Sequence, residues 1–178
     1  YLQTTAASVD DILNTISTFA TGLGWTVNRN NTFTSGANTR RILTVSRAGA
    51  DYAHFTSELA TTKINLYTMR SVGVDPTLDL LSQTNRSTFA QSNLLTAGPY
   101  VNFWLFGESG ANPYIHCVLE IAAGKYRHFG IGEIIKKGTW TGGSYCFGTF
   151  WSQNSIYIDS PTNAEHFTPF ESNASVGV

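Results

Sequence analysis

Residues 99–151, PYVNFWLFGESGANPYIHCVLEIAAGKYRHFGIGEIIKKGTWTGGSYCFGTFW, decide the fold class of this chain. Tyr100 to Phe106 is an aromatic-rich run that ends at the turn composition Gly107 to Pro113. From Tyr114 to Ile121 apolar residues recur at every second position. Side chains on a strand alternate between faces, so Ile115, Cys117, Leu119 and Ile121 share one face. Tyr114, His116, Val118 and Glu120 share the other. Ala122 to Lys125 is a short glycine-containing connection of hairpin type. A third strand over Tyr126 to Ile135 puts Phe129, Ile131 and Ile135 on one face and Tyr126, His128 and Ile134 on the second. Gly130 and Gly132 fall on that second face, where glycine marks a bulge or a close approach. Thr141-Gly142-Gly143 turns the chain again, and Tyr145 to Trp151 returns as a fourth strand. Neither face is clearly polar, so this sheet is expected to be covered on both sides, one cover being another subunit.

Upstream, Ser8-Val9-Asp10-Asp11 has the form of a capping box. Val9, Ile12, Leu13, Ile16, Phe19 and Ala20 follow at helical spacing, and Gly22 stands where a C-terminal cap is expected. The pattern predicts a helix over about 8–21. Trp25 and Val27 open a strand that Asn28 to Asn31 is expected to turn, with Phe33 starting its return. Further strands are predicted over Ile42 to Val45, Tyr52 to Leu59 and Lys63 to Arg70. The loose alternation of Tyr52 to Leu59 suits a partly covered edge strand. Thr77 to Ala97 reads as a long ordered surface loop, and loops of that length usually make contacts. The expected architecture is α+β and mostly β: an antiparallel sheet or sandwich of consecutive hairpins with one N-terminal amphipathic helix. It forms a single domain over 1–151, with central strands over about 99–151. Residues 152–178 have two prolines and little pattern, and read as an extended C-terminal arm.

At 178 residues the chain can bury a sizeable core, and 42% of it is apolar. Only 13% is charged, against roughly a quarter in average soluble proteins. A surface so poor in charge suits a subunit embedded in an assembly, or an extracellular β-protein. The net charge of −1 withholds the attraction that nucleic-acid and anionic-membrane binders use, so neither partner is expected. No apolar run nears the ~20 residues of a membrane helix. The first residues lack a basic stretch followed by an apolar core, so no secretion signal is expected there. The sequence opens on Tyr1 rather than Met, which leaves processing at that end an open alternative. Cys117 and Cys146 would bridge only if their strands were neighbours; two buried free thiols are expected.

The search for chemistry yields weak patterns. His116 and His128 share a sheet face and could begin a metal site with Glu120, Glu133 or His166. No HExxH, CxxC or HxH spacing accompanies them, so no metal and no cofactor are expected. Cys117 cannot use the adjacent His116, which points to the opposite face. Ser144 lacks a GxSxG setting, and Glu108, Glu120 and Glu133 form no distinctive carboxylate pair. Gly130-Ile131-Gly132 is explained by a kinked strand better than by a dinucleotide loop. No catalytic residue is assigned. Among the tryptophans, Trp104 is expected in the core, whereas Trp140, in Gly138-Thr139-Trp140-Thr141-Gly142, reads equally as packing or as an interface anchor. The sequons at Asn30, Asn85 and Asn173 carry little meaning without a secretory signal.

Three segments carry a resemblance: Tyr114-Ile115-His116-Cys117-Val118-Leu119-Glu120-Ile121, then Tyr126-Arg127-His128-Phe129-Gly130-Ile131-Gly132-Glu133, then Gly138-Thr139-Trp140-Thr141-Gly142-Gly143. Together they resemble part of the virion structural proteins of tailed bacteriophages. There, a Tyr-Ile-His strand is joined by a short turn to Tyr/Phe-Arg-His-Phe-Gly, followed by Glu, Lys and a Trp/Tyr-Thr-Gly-Gly loop. The resemblance spans Tyr100 to Trp151 and is only general before that. It implies a non-enzymatic component of the virion, assembled in the host cytoplasm as a ring at the tail, neck or baseplate. Its partners would be copies of itself and other tail or neck proteins. Interface candidates are Trp140 and Trp151, with Ile156, Tyr157, Ile158, Phe167 and Phe170 on the arm, since head-to-tail contacts whose rotation closes make rings. The alternative expectation is a receptor- or carbohydrate-binding β-domain of a phage or extracellular protein, stacking sugars on Trp140 and nearby tyrosines.

Overall fold

A computed structural model describes residues 1–35, 38–47, 52–60, 63–71, 73–84, 86, 90–94, 96–110, 112–133 and 144–148. Ten strands and one α-helix occur among them: β1 (Leu2–Ala6), α1 (Val9–Gly22), β2 (Thr26–Ser35), β3 (Asn38–Ser46), β4 (Tyr52–Ala60), β5 (Lys63–Ser71), β6 (Ala90–Asn93), β7 (Tyr100–Glu108), β8 (Tyr114–Ala122), β9 (Lys125–Glu133) and β10 (Ser144–Gly148). They form two five-stranded antiparallel sheets, ordered β1-β7-β8-β9-β10 and β2-β3-β4-β5-β6. The mostly β sandwich with a single N-terminal helix is the architecture that the hairpin pattern implies.

The sheets meet through their inner faces. The first contributes Phe103, Leu105, Ile115, Cys117, Leu119, Phe129 and Ile131, and the second Leu43, Val45, Ala53, Phe55 and Leu66, all in one core. Each fully buried Val, Leu, Ile or Phe among them stabilises the fold by about 1.5–3 kcal/mol. Along one seam the strands themselves touch: Thr68 Oγ1 on β5 donates to Phe147 O on β10 at 2.9 Å. The Arg127 guanidinium on β9 donates to Asn93 O on β6 at 2.8 Å. On the other side α1 lies against β2, β3, β4, β1 and β7, and buries Val9, Ile12, Leu13, Ile16 and Ala20 in the shared core.

Local chemistry sets the helix ends. Ser8 is the N-cap, its hydroxyl accepting from the Asp11 N–H at 3.2 Å. The Asp11 carboxylate reaches back one residue further than in a standard box, accepting from the Ala7 N–H at 2.8 Å. The C-cap is Leu23 rather than Gly22, and Gly24, at φ +80°, carries the left-handed turn.

Three expectations need correction. Asn28 to Asn31 does not turn the chain: β2 runs on to Ser35, with a register shift between Val27 and Arg29. Its polar residues are tolerated because β2 is an edge strand. Tyr52 to Leu59 lies in β4, the central strand of its sheet, with Ala53 through Ser57 all buried. Its alternation is loose because both faces are covered and one is packed with polar groups. Thr77 to Ala97 contains a 3-10 turn at Leu80–Ser82 and the strand β6. An element with no strong strand pattern in its sequence, β1, adds to these and joins the sheet edge beside β7.

The outer face of the β2–β6 sheet is closed by the chain itself. Arg29 donates to Leu78 O at 2.6 Å, and Arg40 pairs with Asp79 at 2.7 Å. Gln83 ties the segment together, accepting from the Asp75 N–H and donating to Asp75 O and Leu78 O. On the same face Thr44, His54 and Ser71 form a buried chain. His54 Nδ1 is 3.0 Å from Thr44 Oγ1 and Nε2 is 2.6 Å from Ser71 Oγ. The Ser71 hydroxyl donates its proton to Gly73 O, so His54 Nε2 is the donor toward Ser71 and Nδ1 accepts from Thr44.

Candidate functional site: the outer face of the β1–β10 sheet

The first sheet has no such cover among the described residues. Phe103, Leu105, Phe129, Ile131 and Cys146 point into the core, so the even-numbered positions of β7 from Asn102 on, those of β8 and β9, and the odd-numbered ones of β10 point outward. These carry Trp104 and Phe106, then Tyr114, His116 and Val118, then Tyr126 and His128, then Tyr145 and Phe147. Ring contacts run across the sheet. Tyr1 stacks on Phe106 with centroids 6.1 Å apart, Phe106 lies 6.4 Å from His116, and His116 meets Phe147 edge-on at 5.0 Å. Tyr145 follows Phe147 at 6.0 Å, and Trp104 is 6.1 Å from Tyr126. Such contacts add about 0.5–1.5 kcal/mol beyond burial.

Gly130 and Gly132 make this layer possible. A Cβ on Gly130 would stand 2.5 Å from Ile115 O and 3.0 Å from the Phe147 ring. On Gly132 it would stand 2.5 Å from Tyr114 Cβ and 2.7 Å from the Tyr145 hydroxyl. The strand register is regular through both positions, so of the two expected meanings of these glycines, close approach holds and a bulge does not.

The face is only half-closed. Tyr1 is 88% exposed, Tyr126 41% and Phe106 37%. Trp104, Phe106, Val118, Tyr126 and His128 line an open hollow of about 390 Å³. Trp104 therefore belongs to this surface and not to the core, and among the described residues nothing of this chain lies over the face, where another subunit is the expected cover. Glu120 lies at one end, accepting from Asn102 Nδ2 at 2.5 Å and from the Gly124 N–H at 2.9 Å. Those two bonds, Asn102 first, lower its pKa.

His116 and His128 meet as their shared face requires, with His128 Nδ1 3.4 Å from His116 Nε2. Burial lowers the pKa of both rings, and the neighbouring His128 lowers that of His116 further. Among the described residues no group of three His, Cys, Asp or Glu side chains is placed to hold a metal. Cys117 and Cys146 are free and buried. They lie on β8 and β10 with β9 between, about 9–10 Å apart at the usual strand spacing and beyond disulfide reach. Burial pushes the Cys117 thiol pKa well up. No helix among the described residues is long and apolar enough to cross a membrane.

No protein-family model, curated protein or solved structure matches this chain. The interface candidates Trp140, Trp151, Ile156, Tyr157, Ile158, Phe167 and Phe170 lie outside the described residues, as does His166. The outer aromatic layer of Tyr1, Trp104, Phe106, Tyr126, Tyr145 and Phe147 is not among the residues singled out from the sequence. The signal was present, because Trp104 and Phe106, and Tyr145 and Phe147, are aromatic at strand period. What it lacked was the strand order that brings these pairs onto one face.

Proposed function

We propose that this chain is a non-enzymatic structural subunit of a tailed-phage particle, and that it acts by contact through the outer face of its β1–β10 sheet. One observation carries the reading: a five-stranded sheet is packed on one side and presents a half-open aromatic layer on the other. Aromatic residues that are half-exposed and fixed by neighbouring rings are typical interface anchors, since ordering them on binding costs little entropy. The phage assignment rests on the sequence resemblance, which also suggests the tail, neck or baseplate as the location. The partners are further copies in a ring and adjoining tail or neck proteins, and the site of action is the virion.

Sedimentation of the full chain over a range of concentrations tests the contact. Self-association is expected, and Trp104→Glu or Tyr126→Glu weakens it about 30-fold or more, the size of an anchor residue. A monomer at every concentration, together with no density for the chain in the intact particle, would sink the proposal. A second reading, a carbohydrate-binding β-domain, is favoured by the open hollow between Trp104 and Tyr126. A glycan-array signal lost in Trp104→Ala would select it.

A further inference from the structure

We propose that His116 and His128 form a two-imidazole binding site for a divalent metal ion of the Zn²⁺ type. The sheet sets their spacing. His116 pairs with Gly130 and His128 with Val118, so the two rings are diagonal neighbours on one face, within reach of each other. His116 Nε2 and His128 Nδ1 stand 3.4 Å apart. Two nitrogens that each lie about 2.1 Å from one tetrahedral ion are themselves about 3.4 Å apart. The rings are thus already at chelating separation. In the metal-free pair one facing nitrogen carries the proton shared between them. Moving that proton to the far nitrogen of the same ring presents two lone pairs to the ion, and no strand has to move.

The surroundings favour this chemistry. Imidazole ligates in its neutral form, which burial promotes in both rings. Phe147, 5.0 Å from the His116 ring, and Phe106, 6.4 Å away, limit how that ring can turn. Gly130, directly opposite His116, lets the Phe147 ring settle over the strand beside His116, where a Cβ would stand 3.0 Å from that ring. His128 borders the open hollow, from which water fills the remaining coordination positions. An all-imidazole protein ligand set suits Zn²⁺, Cu²⁺ and Ni²⁺ and disfavours Mg²⁺ and Ca²⁺, which take oxygen ligands.

Calorimetric titration of the full chain with Zn²⁺, and with Mg²⁺ as control, tests the site. A single equivalent of Zn²⁺ is expected to bind, and His116→Gln or His128→Gln weakens it at least tenfold, while His166→Gln does not. Thermal melts check that each variant is folded. A second measurement avoids substitution: on adding Zn²⁺, the ¹⁵N resonances of His116 Nε2 and His128 Nδ1 move while those of His54 stay. The proposal is overturned if Zn²⁺ does not bind, if binding survives both substitutions, or if the shifts appear on other histidines.

Discussion

The two sheets have the same number of strands and opposite ways of finishing their outer faces. The β2–β6 sheet is closed by its own chain. Residues 73–84 lie over it through Arg29, Arg40 and Gln83, and beneath them Thr44, His54 and Ser71 satisfy one another. Among the described residues, the β1–β10 sheet covers its outer face only with its own side chains, largely aromatic, several of them more than a third exposed. Polar closure uses up hydrogen-bonding capacity within the molecule, whereas an aromatic layer leaves apolar area that water does not satisfy. Among the described residues, the contrast leaves the larger exposed apolar area on the β1–β10 sheet.

If the inner and outer sides of β9 differ as described, truncation should separate them widely. Phe129→Ala, at a fully buried core position, is expected to cost about 3–5 kcal/mol in urea denaturation. Tyr126→Ala, three residues away and 41% exposed, should cost under about 1 kcal/mol and change association instead. Equal losses at the two positions would erase the distinction. A smaller effect tests the polar closure of the other sheet. His54→Ala leaves the Thr44 hydroxyl without its buried partner and takes from Ser71 the donor it accepts from, though Ser71 keeps its bond to Gly73 O, and about 1–3 kcal/mol of stability should be lost. A neutral result would mean that this chain is incidental.

The smallest expected effect is a pH dependence on the open sheet. The folded-state pKa values of His116 and His128 lie below the ordinary 6.5. In the metal-free protein the unfolded chain therefore takes up protons first as pH falls. Stability is fully present above about 6.5 and declines as pH drops below it toward the lower folded values. Both rings are partly solvated, so the slope should be shallow. Denaturation midpoints between pH 7 and 5 should fall less in His116→Gln/His128→Gln than in the parent chain. An unchanged slope would show that the rings are not coupled to folding.

Legibility followed how strongly a face was committed. In β8 the alternation of Ile115, Cys117, Leu119 and Ile121 against Tyr114, His116 and Val118 was readable because one side is fully dry. Ser8 and Asp11 announced the helix because capping is a local interaction. The course of β2 through Asn28 to Asn31 was not readable. Turn-prone residues become strand residues when a neighbouring strand supplies the ladder, and the hairpin turns only after Ser35, so that Arg29 and Asn31 meet Thr44 and Ile42 and not the residues next to them. The central place of β4 was hidden for a similar reason, since His54 and Thr56 look solvent-facing until a distant segment covers them. At the outer aromatic face the individual residues were legible and their meeting was not.

Period-two apolar strands, a capped amphipathic helix, two buried thiols and a chain poor in charge were all decided within the sequence, because each depends on nearest neighbours or on composition. Strand order, the choice of which face the chain covers, and the 3.4 Å approach of His116 and His128 were decided only by the tertiary structure. They depend on pairings between distant segments, and strand pairing is set by the competition of every face for burial.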